Sequence, residues 1–158
     1  TYSPSMDIQI SSNFERQLFE SYNMDSNKIN KMMESFNLTG SQELGSDVLK
    51  HLKSIYSSYS VSDEETLATI KKFKNDYDYL SDPHTATGLS VLSKIKDDYP
   101  IVSLACAHPA KFSDAIKKAT GILPHLPIEL ENIFDKEENI TILENSIEKT
   151  KDYILQYL

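Results

Sequence analysis

A chain of 158 residues holds one ordinary domain and one hydrophobic core. With 39% apolar and 25% charged residues it has a globular composition, and no apolar run approaches the ~20 residues of a membrane helix. A net charge of −8 with no basic run repels a phosphate backbone, so neither a nucleic acid nor a membrane is an expected partner.

Cys106 is the single cysteine, which excludes an internal disulfide and a cysteine-based zinc site. His51 and His125 have no neighbours at metal-ligand spacing, so no metal is expected. No basic and apolar leader opens the chain, and the expected location is cytoplasmic. The chain starts on Thr1, not methionine, and runs at once into an extended segment containing Pro4. This reads as a piece of a larger protein.

Ser12-Asn13-Phe14-Glu15 has the form of a capping box, with Phe14, Leu18 and Tyr22 as the buried stripe of the helix that follows. Ile29, Met32, Met33 and Phe36 predict a second helix ending near Gly40. Leu44, Val48, Leu52 and Ile55 predict a third over about 42–57. A second capping box, Ser62-Asp63-Glu64-Glu65, opens the clearest amphipathic helix, with Leu67, Ile70, Phe73, Tyr77 and Leu80 inward. Asp82 caps the next helix and Pro83 takes its first position. That helix is expected to reach about Asp98, although Gly88 inside it implies a close neighbour or a tolerated weakness.

Ile101 to Ala107 is short, apolar and partly β-branched, which predicts a buried strand. His108-Pro109 then opens a helix with Phe112, Ile116 and Ala119 on one face and Gly121 at its end. Ile128 to Phe134 reads as one short helix and Ile140 to Leu143 as a second strand. A last helix follows, capped by Asn145, with Ile147, Ile154 and Leu158 inward. A further short strand is expected near 59–61. The fold class is therefore α/β, predominantly helical with two or three short strands. So few strands make no satisfying sheet alone, which again suggests a portion of a larger domain.

Three places carry chemistry. At 103–112 a strand end turns into a helix start, where α/β folds bind ligands. The small side chains of Ala105, Cys106 and Ala107 there leave room for a flat ring. The alternative is tight packing with His108 as a helix cap. Residues 3–16 gather hydroxyls, Asp7, Asn13 and the only arginine, Arg16, a forked donor suited to phosphate or carboxylate. Turn, cap and surface ion-pair roles explain the same residues. Residues 82–88, with His84, could line a pocket or form only a well-capped helix.

Together Ser-Pro-Ser-Met-Asp-Ile-Gln-Ile-Ser-Ser-Asn-Phe-Glu-Arg (3–16), Asp-Pro-His-Thr-Ala-Thr-Gly (82–88) and Ala-His-Pro-Ala-Lys-Phe (107–112) resemble successive signature blocks of the threonine synthases. The segment from Pro124 through Phe134-Asp135-Lys136-Glu137-Glu138 resembles their C-terminal turn and acidic tail. The resemblance implies the C-terminal portion of a fold-type-II pyridoxal-phosphate domain, spanning 1–158. The enzyme so implied converts O-phosphohomoserine and water to threonine and phosphate. It places the Schiff-base lysine and a Gly/Asn-rich phosphate loop upstream of the first block, so this chain carries no catalytic lysine and is expected to be inactive alone.

The resemblance assigns Cys106 to the position facing the pyridine nitrogen, where the family has threonine. Asn13, Arg16, Asp7, His84 and His108 are the implied substrate or cleft residues. Two alternatives stand beside this reading: a related phospho-lyase that forms a 2-oxo acid, and a non-catalytic helical module that binds a partner or self-associates.

Overall fold

The computed structural model describes residues 1–96 and 98–158. Its α-helices are α1 (Ser12–Ser21), α2 (Ser26–Thr39), α3 (Ser46–Ile55), α4 (Asp63–Tyr77), α5 (Pro83–Ser90), α6 (Ser113–Thr120) and α7 (Ile147–Leu155). Short 3-10 turns occur at Pro4–Met6, Leu92–Lys94, Pro109–Phe112, Ile128–Leu130 and Ile133–Asp135. The chain forms two compact units, Thr1–Pro124 and His125–Leu158. No helix of the described residues is long and apolar enough to cross a membrane.

The first unit has two apolar clusters. Leu18, Ile29 and Leu52 join α1, α2 and α3, with Phe19, Tyr22, Met32, Met33, Leu44 and Val48 packed around them. Ile70, Ala86 and Ile116 join α4, α5 and α6, with Leu80 and Ala119 alongside. Except for Ala86, where the expected stripe of α5 was Leu89, Leu92 and Ile95, the buried residues of both clusters follow the helical spacing of the sequence. Phe14 departs from it: the ring is 49% exposed and borders a groove of about 190 Å³ with Leu18, Met32, Met33 and Phe36.

Caps decide where several helices start. Ser62 accepts from the Glu65 amide (3.2 Å) while the Glu65 carboxylate accepts from the Ser62 amide (2.8 Å), which completes the capping box of α4. The expected box at Ser12 does not form. Ser11 is the residue outside α1 and makes no side-chain cap bond, so Ser12 is already helical. Ser146, rather than Asn145, caps α7 and accepts from the Lys149 amide at 3.3 Å. Gly40 and Gly121 close α2 and α6 with φ of 71° and 77°, a left-handed turn that glycine adopts without a Cβ penalty.

The expected strands are corrected. Among the described residues no strand occurs. Residues 101–107 are irregular, and Val102 and Leu104 are 81% and 77% exposed. A strand needs a ladder, and the amides that end this run go elsewhere: Cys106 N–H to Thr85 Oγ1 at 2.9 Å and Ala107 N–H to Asp82 Oδ2 at 3.2 Å. An apolar run signals burial only where something packs on it, and among the described residues nothing covers Val102 or Leu104. Residues 59–61 and 140–143 are likewise irregular.

Other boundaries move. The helix expected to reach Asp98 stops at Ser90 and tightens into the 3-10 turn Leu92–Lys94. The Ser90 hydroxyl donates to the Thr87 carbonyl (2.8 Å), which competes for the backbone at the helix end. The single helix expected over 128–134 is two separate 3-10 turns.

In the second unit the Thr141 hydroxyl and Tyr153 hydroxyl lie 2.9 Å apart, tying the 140–143 segment to α7. Ile147 and Leu158, expected inward, are 84% and 95% exposed.

Gly88 does have the close neighbour its place in a helix suggested. A Cβ there would stand 3.1 Å from Ser103 Oγ, so Ser103 approaches α5 where a side chain is missing. Gly88→Ala gains about 1 kcal/mol of helix propensity but crowds that hydroxyl. The expected result of a urea double-mutant cycle is a smaller gain in the parent than in a Ser103→Ala background.

Candidate functional site

Ser81 to Thr85 form a continuous buried run in which every residue but Pro83 is polar. Such a run is stable only when its polar atoms find partners. Asp82 supplies most of them. As the cap of α5 its Oδ1 accepts from the His84 amide at 2.9 Å, and His84 Nδ1 lies 3.0 Å from the same oxygen. Its Oδ2 accepts from the Thr85 hydroxyl, from the Thr85 amide at 3.4 Å and from the Ala107 amide at 3.2 Å. Burial pushes the Asp82 carboxyl up. The hydrogen bonds from Thr85 Oγ1, His84 Nδ1 and the His84 and Ala107 amides outweigh it, so the carboxyl lies below its usual range.

His84 extends this node to the start of the chain. The Ser5 amide donates to His84 Nε2 at 3.1 Å. An amide can only donate, so Nε2 carries the lone pair and Nδ1 carries the proton that faces Asp82. The Phe112 ring packs on the imidazole, with centroids 4.7 Å apart. Thr85 turns the node toward the 101–107 segment by accepting from the Cys106 amide at 2.9 Å. Ser5, Asp82 to Thr85, Cys106-Ala107 and Phe112 are far apart in sequence and meet here, one contribution from each of the three blocks singled out above.

The first block is also held from outside the node. The Tyr2 amide donates to Asp63 Oδ1 at 3.0 Å, and Lys118 Nζ donates to the Tyr2 hydroxyl at 2.7 Å. Residues 2–5 thus touch α4, α6 and α5 in turn.

The residues expected at a site divide accordingly. His84 is buried with both ring nitrogens engaged, so it supports the node. The Cys106 backbone joins the node, while its thiol is exposed and has the Leu104 carbonyl at 3.7 Å. His108 caps the Pro109–Phe112 turn, its Nδ1 accepting from the Ala110 amide at 3.2 Å. Asp7 accepts from the Thr1 hydroxyl at 3.0 Å. Arg16 donates to Asn13 Oδ1 on the exposed first turn of α1, away from these bonds. Among the described residues no cluster of metal-ligating side chains occurs.

From the sequence, Asp82 is a helix cap and Asp82 and Thr85 belong to a block that could line a pocket, but neither stands out as part of a buried network. One signal was available. Four polar residues and one proline lie between Leu80 and Ala86, both of which belong to the apolar packing of α4, α5 and α6.

Residues 85–154 match the family model "Threonine synthase, C-terminal". The chain is 35% identical to threonine synthase from Pseudomonas aeruginosa over 98% of its length and 34% of that protein's. It is 37% identical to threonine synthase from Schizosaccharomyces pombe, covering 95% of this chain and 35% of that one. The crystal structure of pyridoxal-phosphate-bound threonine synthase from Brucella melitensis superposes with a TM-score of 0.82 at 39% identity, over 99% of this chain and 34% of that one. The yeast enzyme gives 0.75 at 32% identity, over 99% and 36%. Fold and sequence together define a class, the C-terminal domains of biosynthetic enzymes. The chain belongs to the threonine synthase family, to whose C-terminal part it corresponds. It spans about a third of the length of these relatives.

The node predicts an acid-sensitive unit. A carboxyl whose folded pKa lies below its unfolded value, about 4, stabilises fully above that pH and loses the contribution as pH falls through the folded value. Asp82→Asn is expected to flatten this acid limb of stability, followed by circular dichroism. Asp82→Ala is expected to cost about 3 kcal/mol in urea, because several donors lose their acceptor at once. Ser81→Ala is the contrast: Ser81 Oγ is buried with no hydrogen-bond partner among the described residues, so its removal is expected to be neutral or mildly stabilising.

Proposed function

We propose that this chain is the C-terminal part of a larger pyridoxal-phosphate catalytic domain, in a cytoplasmic enzyme that converts O-phosphohomoserine and water to threonine and phosphate. The observation that carries the reading is the presentation of Cys106. Its amide is fixed by Thr85 while its thiol stays exposed, between Ala105 and Ala107, whose small side chains leave room for a flat ring. A thiol is a donor that a pyridine nitrogen can accept from, so this group fits the ring position that the family resemblance assigns to it.

Bound pyridoxal phosphate supplies the electron sink for carbanion chemistry. The chain's own part is orientation. Cys106 would hold the ring nitrogen as a hydrogen-bond donor, a weaker one than a hydroxyl. Asp82 and His84 hold the backbone behind it. Arg16, steadied by Asn13, offers a forked cation suited to a phosphate or carboxylate of the substrate. Asp7 and His108 border the cleft. The chain alone is inactive on this reading, because the lysine that binds the cofactor belongs to the upstream part.

The test joins this chain to its upstream sequence. The expected product is a yellow protein that binds pyridoxal phosphate and releases phosphate from O-phosphohomoserine with threonine as product. A well-folded long protein that binds no cofactor and releases no phosphate contradicts the reading. The thiol at position 106 also favours a second outcome in the same assay: a weaker ring-nitrogen bond suits a phospho-lyase, which releases phosphate but yields a 2-oxo acid.

A further inference from the structure

Thr85 stands between the buried acid and the segment that carries Cys106. A hydroxyl has one proton, and the Cys106 amide at 2.9 Å can only donate, so that proton goes to Asp82 Oδ2. The next amide, Ala107, reaches the same carboxylate oxygen at 3.2 Å. Two consecutive peptide groups are thus tied to α5, one through the Thr85 hydroxyl and one directly. Ser103 closes on Gly88 of the same helix. The thiol lies outside this lattice, exposed, with the Leu104 carbonyl 3.7 Å away. The place of Cys106 is therefore set through its backbone, and Thr85 is the side chain that sets it.

We propose that Thr85 is a positioning residue for the cofactor contact: its hydroxyl, relaying Asp82 to the Cys106 amide, fixes where the Cys106 thiol meets the ring. The proposal rests on the reading of Cys106 as the ring nitrogen's partner. Thr85 touches neither cofactor nor substrate in it. Valine has nearly the shape of threonine but cannot relay the bond, whereas serine keeps the hydroxyl.

The chain's single cysteine makes the test selective, since thiol alkylation reports on Cys106 alone. In the unsubstituted 158-residue chain, the Cys106 and Ala107 amides are expected to exchange slowly, unlike that of Ala105. Thr85→Val is expected to speed exchange at Cys106 by about fivefold or more, the equivalent of one lost hydrogen bond, relative to the amides of α4. It is also expected to change the rate of alkylation by iodoacetamide, and Thr85→Ser restores both. Ile116→Val, a core change of similar cost, leaves the ratio of Cys106 to α4 exchange unaltered. An unprotected Cys106 amide in the unsubstituted chain overturns the proposal without any variant. So does a Thr85→Val chain with parental exchange and alkylation, or a Thr85→Ser chain that behaves like Thr85→Val.

The cofactor half is read in the longer enzyme by the absorbance of bound pyridoxal phosphate. Cys106→Ala and Thr85→Val are expected to shift it in the same direction, with Thr85→Ser near the parent. A spectrum that responds to Cys106→Ala and not to Thr85→Val overturns the role of Thr85. A spectrum blind to Cys106→Ala overturns the assignment of Cys106, and with it the cofactor half of this proposal, even where exchange and alkylation respond.

Discussion

Asp82 is a buried carboxylate held charged by donors from two separate stretches of chain. Moving an isolated carboxylate out of water costs many kcal/mol, so the arrangement exists only while those donors are in place. Each donor is also a tether. The amides of His84 and Thr85 start α5, the His84 ring reaches Ser5 and Phe112, and the Ala107 amide and Thr85 hydroxyl hold the segment that ends in Cys106. One charged group thereby organises the start of the chain, a helix and a loop that share no sequence proximity.

This division of labour separates stability from chemistry within a few residues. The polar atoms of Asp82, His84 and Thr85 are used up inside the protein, and none remains for a ligand. The Cys106 thiol, left facing outward, stands on backbone that is fixed from behind. A reacting group is held most accurately by a support that is itself locked by packing and hydrogen bonds. Under the proposed assignment of Cys106, that support has a use, because a cofactor ring tolerates little displacement of the group that contacts it.

Much of this was legible in the sequence, for local reasons. The capping box at Ser62, the Asp82-Pro83 helix start, the glycine stops at Gly40 and Gly121 and both apolar clusters depend on residues three or four apart. The three blocks were also visible, although their meeting point was not. That meeting depends on the third dimension, as in the Ser5 amide finding His84, and no spacing rule encodes it. The strand expected at 101–107 failed for a related reason. Apolar, β-branched residues such as Ile101 and Val102 report a tendency to be covered, and among the described residues both stay exposed. Inward placement of Ile147 and Leu158 failed in the same way. The box at Ser12 failed more locally, because Ser11 precedes it and takes the cap position.

The tautomer of His84 tests the node most directly. With the imidazole nitrogens labelled, long-range nitrogen–proton correlation at neutral pH is predicted to show a neutral ring protonated at Nδ1, with Nε2 bare and accepting from Ser5. A ring protonated at Nε2, whether neutral or doubly protonated, leaves the Ser5 amide facing another donor and contradicts the account.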